Sequence, residues 1–181
     1  MALEFEILGL ISSTITIVEL TIEVYNTIKD LHGLPEAFWQ VSDWFPLVKD
    51  ILADARSQIK NTNSSNKATA PKKLLESCKK KVKELQNIFI GIAKESTSGE
   101  FIISVYQAIV LKLGKKSRVE NLINNILKDL GILAAHNLFR AAMQNRVEEV
   151  ERARQELEKV PLLLPDSNLD ETPSSAKQTA G

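Results

Sequence analysis

Residues 3–31, LEFEILGLISSTITIVELTIEVYNTIKDL, decide the fold. The stretch is rich in β-branched residues, and Thr14-Ile15-Thr16-Ile17 alternates as a strand would. The polar positions overrule that pattern. Ser12, Thr16, Glu19, Glu23, Asn26 and Asp30 recur at spacings of three and four, which is one solvent-facing stripe of a helix. The rest of the circumference is apolar: Leu10, Ile11, Ile15, Val18, Ile22, Tyr25 and Ile28, with Ile17, Leu20 and Val24 beside them. A helix so broadly apolar must be nearly surrounded, or must find another apolar medium. Each such side chain contributes roughly 1.5–3 kcal/mol when fully buried. The first helix is therefore expected to be the central element of the resting fold.

Working outward, His32-Gly33-Leu34-Pro35 closes this helix and opens the next: Gly33 suits a left-handed residue past a helix end, and Pro35 a first helical position. A second helix is expected to about Ile59, with a kink near Asp43 imposed by Pro46. The polar residues 61–70 read as a mobile linker. Leu74, Leu75, Cys78, Val82, Leu85, Ile88, Phe89 and Ile92 stripe a third helix; Phe101, Val105, Ile109 and Leu113 stripe a short fourth. A fifth begins near Ser117, and runs on to Val160 or breaks near Gly131 or Asn137. Leu162 to Leu164 form an apolar clip between prolines, and 166–181 read as a disordered tail. The expectation is an all-α protein: one multi-helix bundle of about five helices over residues 1–165, with a long C-terminal helix.

The totals suit a globular chain. Of 181 residues, 44% are hydrophobic and 25% charged, which excludes wholesale disorder. The 23 basic residues balance 23 acidic ones, against the basic excess that a nucleic-acid binder needs. A single cysteine, Cys78, allows neither an internal disulfide nor a cysteine-based metal cluster. Its expected state is a buried thiol, with activation by Lys79, Lys80 and Lys81 as the sharper alternative. The apolar run Ile7 to Val18 follows Glu4 and Glu6 instead of Lys or Arg, lacks a cleavage site and is too short for a span, so a cytoplasmic location is expected.

Catalytic patterns are missing. Gly114-Lys115-Lys116-Ser117 resembles a phosphate loop, but Lys116 interrupts it and Ile109 stands where the motif needs glycine. His32 and His136 have no second ligand at metal-binding spacing. No catalytic, cofactor-binding or metal residues are assigned, and neither an enzyme activity nor a small-molecule substrate is expected. Two contact surfaces are assigned instead. The first is the apolar face Ile7, Leu10, Ile11, Ile15, Val18 and Ile22, for membrane or partner contact. The second is a basic patch of Lys72, Lys73, Lys79, Lys80 and Lys83, with Lys81 among them, able to meet anionic lipid. Lys112, Lys115, Lys116 and Arg118 add a second basic spot. The bland reading of both is a solvated helix face balanced by acidic helices elsewhere.

As a set, these segments resemble the fungal SesA-type domain, the N-terminal module of NACHT-NTPases and other P-loop NTPases. The resemblance rests on residues 9–52, above all Gly33 to Phe38 (GLPEAF) and Pro46 to Asp50 (PLVKD). It continues through Cys78 to Val82, Ile88-Phe89, Leu113 to Glu120 (LGKKSRVE), and Val160-Pro161 with Leu164 to Ser167. It implies a non-enzymatic effector in programmed cell death or nonself recognition, similar in architecture to HeLo domains, whose N-terminal helix is proposed to enter membrane. The implied partners are a NACHT or P-loop NTPase or another fungal signalling protein, with membrane lipid and a homo-oligomer as further candidates. No NTPase segment follows, so the switch is expected on a separate chain. Ser167 to Gly181 lacks the glycine- and asparagine-rich repeat of amyloid-signalling members, so that route is not expected. The alternative is an adaptor that docks a partner protein and leaves membranes alone.

Overall fold

The computed structural model describes residues 2–61, 69–96, 99–114 and 118–161. These form six helices: α1 (Ala2–Ile28), α2 (Glu36–Asn61), α3 (Thr69–Glu95), α4 (Ile103–Leu113), α5 (Val119–Ala135) and α6 (Arg140–Glu158). Four of them close a ring. α1 packs against α2 and α3, and α5 packs against the same two helices from the opposite side. α6 lies on α5 and α2, and the short α4 lies on α3.

α1 is therefore a corner of the ring, which corrects the expectation that it is central. The enclosed helix is α5, where Leu122, Ile123, Ile126, Leu127, Leu130 and Leu133 are all buried. The expected polar stripe of α1 does face outward, but the open face is wider than the stripe. Phe5 is 72% exposed and Leu20 43%, while Leu8, Leu10, Ile17, Ile22 and Val24 are only partly covered. The inward face instead includes two threonines. Thr14 and Thr21 are fully buried, their hydroxyls donating to the Leu10 and Ile17 carbonyls at 2.7 and 2.6 Å. A hydroxyl closed onto its own helix can be buried at little cost, which is why hydropathy alone misplaces these residues.

The α1–α2 turn follows its sequence signals. Gly33 has φ of +81°, and Leu34 N–H donates to the Leu31 carbonyl at 3.2 Å. α2 carries Pro46 as one helix from Glu36 to Asn61, with Pro35 just outside it. The turn is tied to the α3–α4 connection: His32 N–H donates to Gly99 O at 2.7 Å, and Phe101 N–H to His32 O at 2.9 Å. Beneath that bridge, Phe38 meets Phe89, Phe101 and Tyr106 at ring separations of 5.8, 5.4 and 5.3 Å; Tyr25 and Phe45 also reach Phe89.

Two boundaries differ from the sequence pattern. α3 begins at Thr69, inside the expected linker, and residues 62–68 lie outside the described part. The last long helix is broken at residues 136–139, the Asn137 option. His136 adopts an extended conformation (φ −65°, ψ 142°), and its Nδ1 accepts from Leu138 N–H at 3.1 Å, so the side chain closes the turn. A sixth helix thus replaces the continuous fifth. It is regular beyond Met143, whose φ and ψ of −124° and 22° leave the helical region. The expected Leu162 to Leu164 clip and disordered tail lie outside the described residues.

Candidate interaction surface

The site is built from α1 and its two neighbours. Glu6 pairs with Lys72 at 2.9 Å and Tyr25 stacks near Phe89, so α1 and α3 run side by side in the same direction. Glu19 pairs with Lys49 at 3.3 Å across the antiparallel α1–α2 hairpin. Both pairs are well exposed and hold α1 only weakly, because solvent screens them.

Of the six assigned contact residues, Ile7, Ile11, Ile15 and Val18 point into the core, and Leu10 and Ile22 are half-buried. The apolar groups that α1 presents at rest are others: Phe5 and Leu20, flanked by Leu8, Ile17 and Val24. Sequence reasoning missed these as surface because a helix wheel does not say how many neighbours a helix has. The lysines of α3 are partly committed. Lys72 is held by Glu6, and Lys81 reaches Asp129 at 2.6 Å beside Ser77 at 2.9 Å. Lys73, Lys80 and Lys83 remain exposed and Lys79 half-buried, and Lys79 and Lys83 stand level with the middle of α1. Arg118, assigned to a second basic spot, is instead buried at the start of α5; Lys115 to Ser117 lie outside the described residues.

By length and composition, Phe5–Ile28 is a 24-residue stretch able to cross a membrane, with mean hydropathy 1.7 and 33% of its most apolar window buried. This corrects the reading that the apolar run is too short. Serine and threonine interrupt the run without ending its compatibility with an apolar medium. Ser13, Thr14, Thr16, Thr21 and Thr27 all donate to carbonyls three or four residues back, at 2.6–3.1 Å. In a bilayer every polar group needs such an internal partner.

Elsewhere the described surface offers depressions. Two adjoining depressions lie between α5 and α6. One, of about 690 Å³, involves Ala134, Ala135 and Val147, and the other, of about 280 Å³, Gly131, Ile132 and Val150. Among the described residues, no group of three or more His, Cys, Asp or Glu is placed to hold a metal ion. Cys78 is fully buried, and burial, with Asp129 nearby, pushes its thiol up to about 12, so the reading of a thiol activated by lysines is overturned.

A family model described as the N-terminal domain on NACHT-NTPase and P-loop NTPases, SesA, matches residues 11–133. That span runs from Ile11 in α1 through all but the last two residues of α5. Neither a curated protein nor a solved structure matches the chain.

Proposed function

The chain belongs to the SesA family, and on that premise we propose that it is a non-enzymatic effector or signalling module of fungal NACHT- and P-loop-NTPase systems. In this reading it serves programmed cell death or nonself recognition, with residues 1–165 as one domain and an NTPase as its partner. It acts by passing α1 from the bundle to a membrane. The observation that carries the reading is the one-sided packing of α1: a helix of spanning length, with five of its hydroxyls bonded to its own carbonyls, rests in a groove with Phe5 and Leu20 turned to water. Lysines on α3 flank it and favour anionic lipid by about 1 kcal/mol each.

The test is dye leakage from anionic vesicles, with the full chain alone and with its NTPase partner. Leu20→Glu is the informative variant, because that position is open enough to accept a carboxylate without unfolding the bundle. Leakage by the wild type, lost in a Leu20→Glu variant that stays folded by circular dichroism, supports the proposal. Intact vesicles under both conditions, or equal leakage by the variant, overturn it. A second reading, the adaptor, is favoured by the α5–α6 depressions, where the exposed Ile132 and Val147 stand among Lys128, Arg140, Glu148 and Glu151. A stable complex with an NTPase together with inertness on vesicles decides for it.

A further inference from the structure

The depressions between α5 and α6 follow one another along a single furrow. Asn124, Lys128 and Ala135 share a face of α5, and Val147, Glu151 and Arg154 share a face of α6. The furrow starts at Leu157 and Val160, where the chain leaves α6. It passes an aliphatic middle at Ile132 and Val150 and ends at Arg140. A bond of 3.0 Å from Arg154 Nε to Asn124 Oδ1 crosses it. We propose that its occupant is the segment 162–171 of this chain, LLLPDSNLDE, which follows the described residues, doubles back along α6 and covers the furrow until a partner displaces it.

Three observations select this occupant. The first is reach. From Val160 back to Arg140 the helix rises about 1.5 Å per residue, roughly 30 Å in all. An extended chain advances about 3.3 Å per residue, so Leu164 comes level with Val150 and Glu151, and Asp170 with Arg140. The second is the order of the chemistry. Leu162, Leu163 and Leu164 arrive at the aliphatic middle, and the acids Asp166, Asp170 and Glu171 follow towards Arg140, with Glu148 opposing them there. The third is conformation. Pro161 and Pro165 disfavour the helical region at Val160 and Leu164, which keeps the segment extended. They also lack an N–H, so fewer donors need partners against helices whose own backbone is already bonded.

Tethering adds to this, because a segment joined by a short linker acts at an effective concentration of about millimolar, which a separate chain has to exceed. The proposal goes beyond both readings of function: it concerns what the furrow holds when no partner is present, and it stands whether or not α1 meets a bilayer. Under the adaptor reading the segment is an inhibitor of docking.

The test places a thiol in the furrow. Ala135→Cys, at an exposed position, is labelled with a maleimide in the full chain, where Cys78 is buried. Half-covering two leucines carries about tenfold in occupancy, and ordering the segment takes part of it back. Adding Leu162→Ser and Leu164→Ser should therefore raise the labelling rate about threefold to tenfold. Lys177→Ser, beyond the segment, should leave the rate unchanged, and so should dilution of the protein. Equal rates with and without the two leucines, or an equal rise with Lys177→Ser, overturn the proposal. Protection that grows with protein concentration assigns the furrow to a second copy, and protection that comes only with an NTPase assigns it to that partner; both overturn it. The two leucines lie outside all six helices, so the bundle does not depend on them. If Ala135→Cys perturbs its corner, Gln144→Cys, exposed on the α6 wall, carries the same comparison. No vesicle enters the measurement, so its failure and that of the membrane reading are separate.

Discussion

Replacing Ile11 and Leu20 by alanine, one at a time, asks how α1 is held. Both are branched aliphatics on the apolar circumference of the same helix, nine positions apart. Ile11 is fully buried between α1 and its neighbours, whereas Leu20 leaves 43% of its surface in water. Truncating a buried isoleucine removes its transfer free energy and leaves a cavity, about 2–5 kcal/mol in all. At Leu20 roughly half of the transfer term is lost and no closed cavity forms, so the cost is about 1 kcal/mol or less. Alanine's slightly better helix propensity recovers a few tenths of that. In urea melts followed by circular dichroism, with a slope of about 2 kcal/mol/M, Ile11→Ala should lower the midpoint by about 1–2.5 M and Leu20→Ala by less than about 0.5 M. Equal shifts would refute the reasoning: α1 would be enclosed on all sides, and the open face on which the membrane proposal rests would not exist.

Other outcomes follow from single sites. Because the folded-state pKa of Glu120 is raised, its stability contribution is full below the unfolded value near 4.5 and is lost as pH rises through the folded one. Glu120→Gln should therefore match the wild type near pH 4 and exceed it near pH 8; a difference that is flat with pH in urea melts speaks against an unpaired buried carboxylate. Cys78 should resist a thiol reagent at pH 8 until the chain is unfolded, and rapid labelling of the native protein would contradict its burial. Asp129→Ala should cost about 1.5–3 kcal/mol, since it removes the acceptor of both Lys81 and Ser77, while Ser77→Ala costs about 1 kcal/mol. Gly91→Val should displace the tip of Ile109, because a Cβ there falls 2.7 Å from Ile109 Cδ1; faster amide exchange over residues 103–113 in the variant than in the wild type would show that α4 is loosened.

The helices were legible because their stripes are long and their ends carry chemistry. Gly33 at positive φ stands where its residue type puts it, and the inward stripe of α3 is the one its spacing predicts, whereas the break around His136 is one of three options that the sequence leaves open. What the sequence hides is adjacency. Nothing in α1 states that two helices, and not four, will cover it, so its apolar circumference reads as burial when part of it is left open. Thr14 and Thr21 mislead in the other direction, because a back-bonded hydroxyl behaves as part of the core while counting as polar. The lysines of α3 appear nearly unopposed along the chain, and Glu6 and Asp129 reach two of them only after folding. Glu120 gives no signal at all: an acidic residue in a first helical turn is a common capping choice, and only packing by α6 turns it into a buried charge.

The packing of α1 also limits how it could leave. Six of its inward side chains, Ile7, Ile11, Ile15, Val18, Tyr25 and Ile28, are buried, and at roughly 1.5–3 kcal/mol each their exposure to water would cost on the order of 10 kcal/mol. That rivals the whole stability of a domain, typically about 5–15 kcal/mol. Release into solvent would then amount to unfolding, and the two screened ion pairs would add little resistance. Transfer into a second apolar medium spares that cost for the apolar groups, provided that Glu6, Glu19 and Glu23 stay at a polar boundary, since an unpaired carboxylate is costly in an apolar medium. The two ends of α1 differ in this respect: Tyr25 is locked against Phe89 beneath the His32–Phe101 bridge, whereas Phe5 already stands in water. Exchange should thus begin at the N-terminal half with the Tyr25 end as pivot, and it should require the acceptor, bilayer or partner groove, to be in contact before the helix moves.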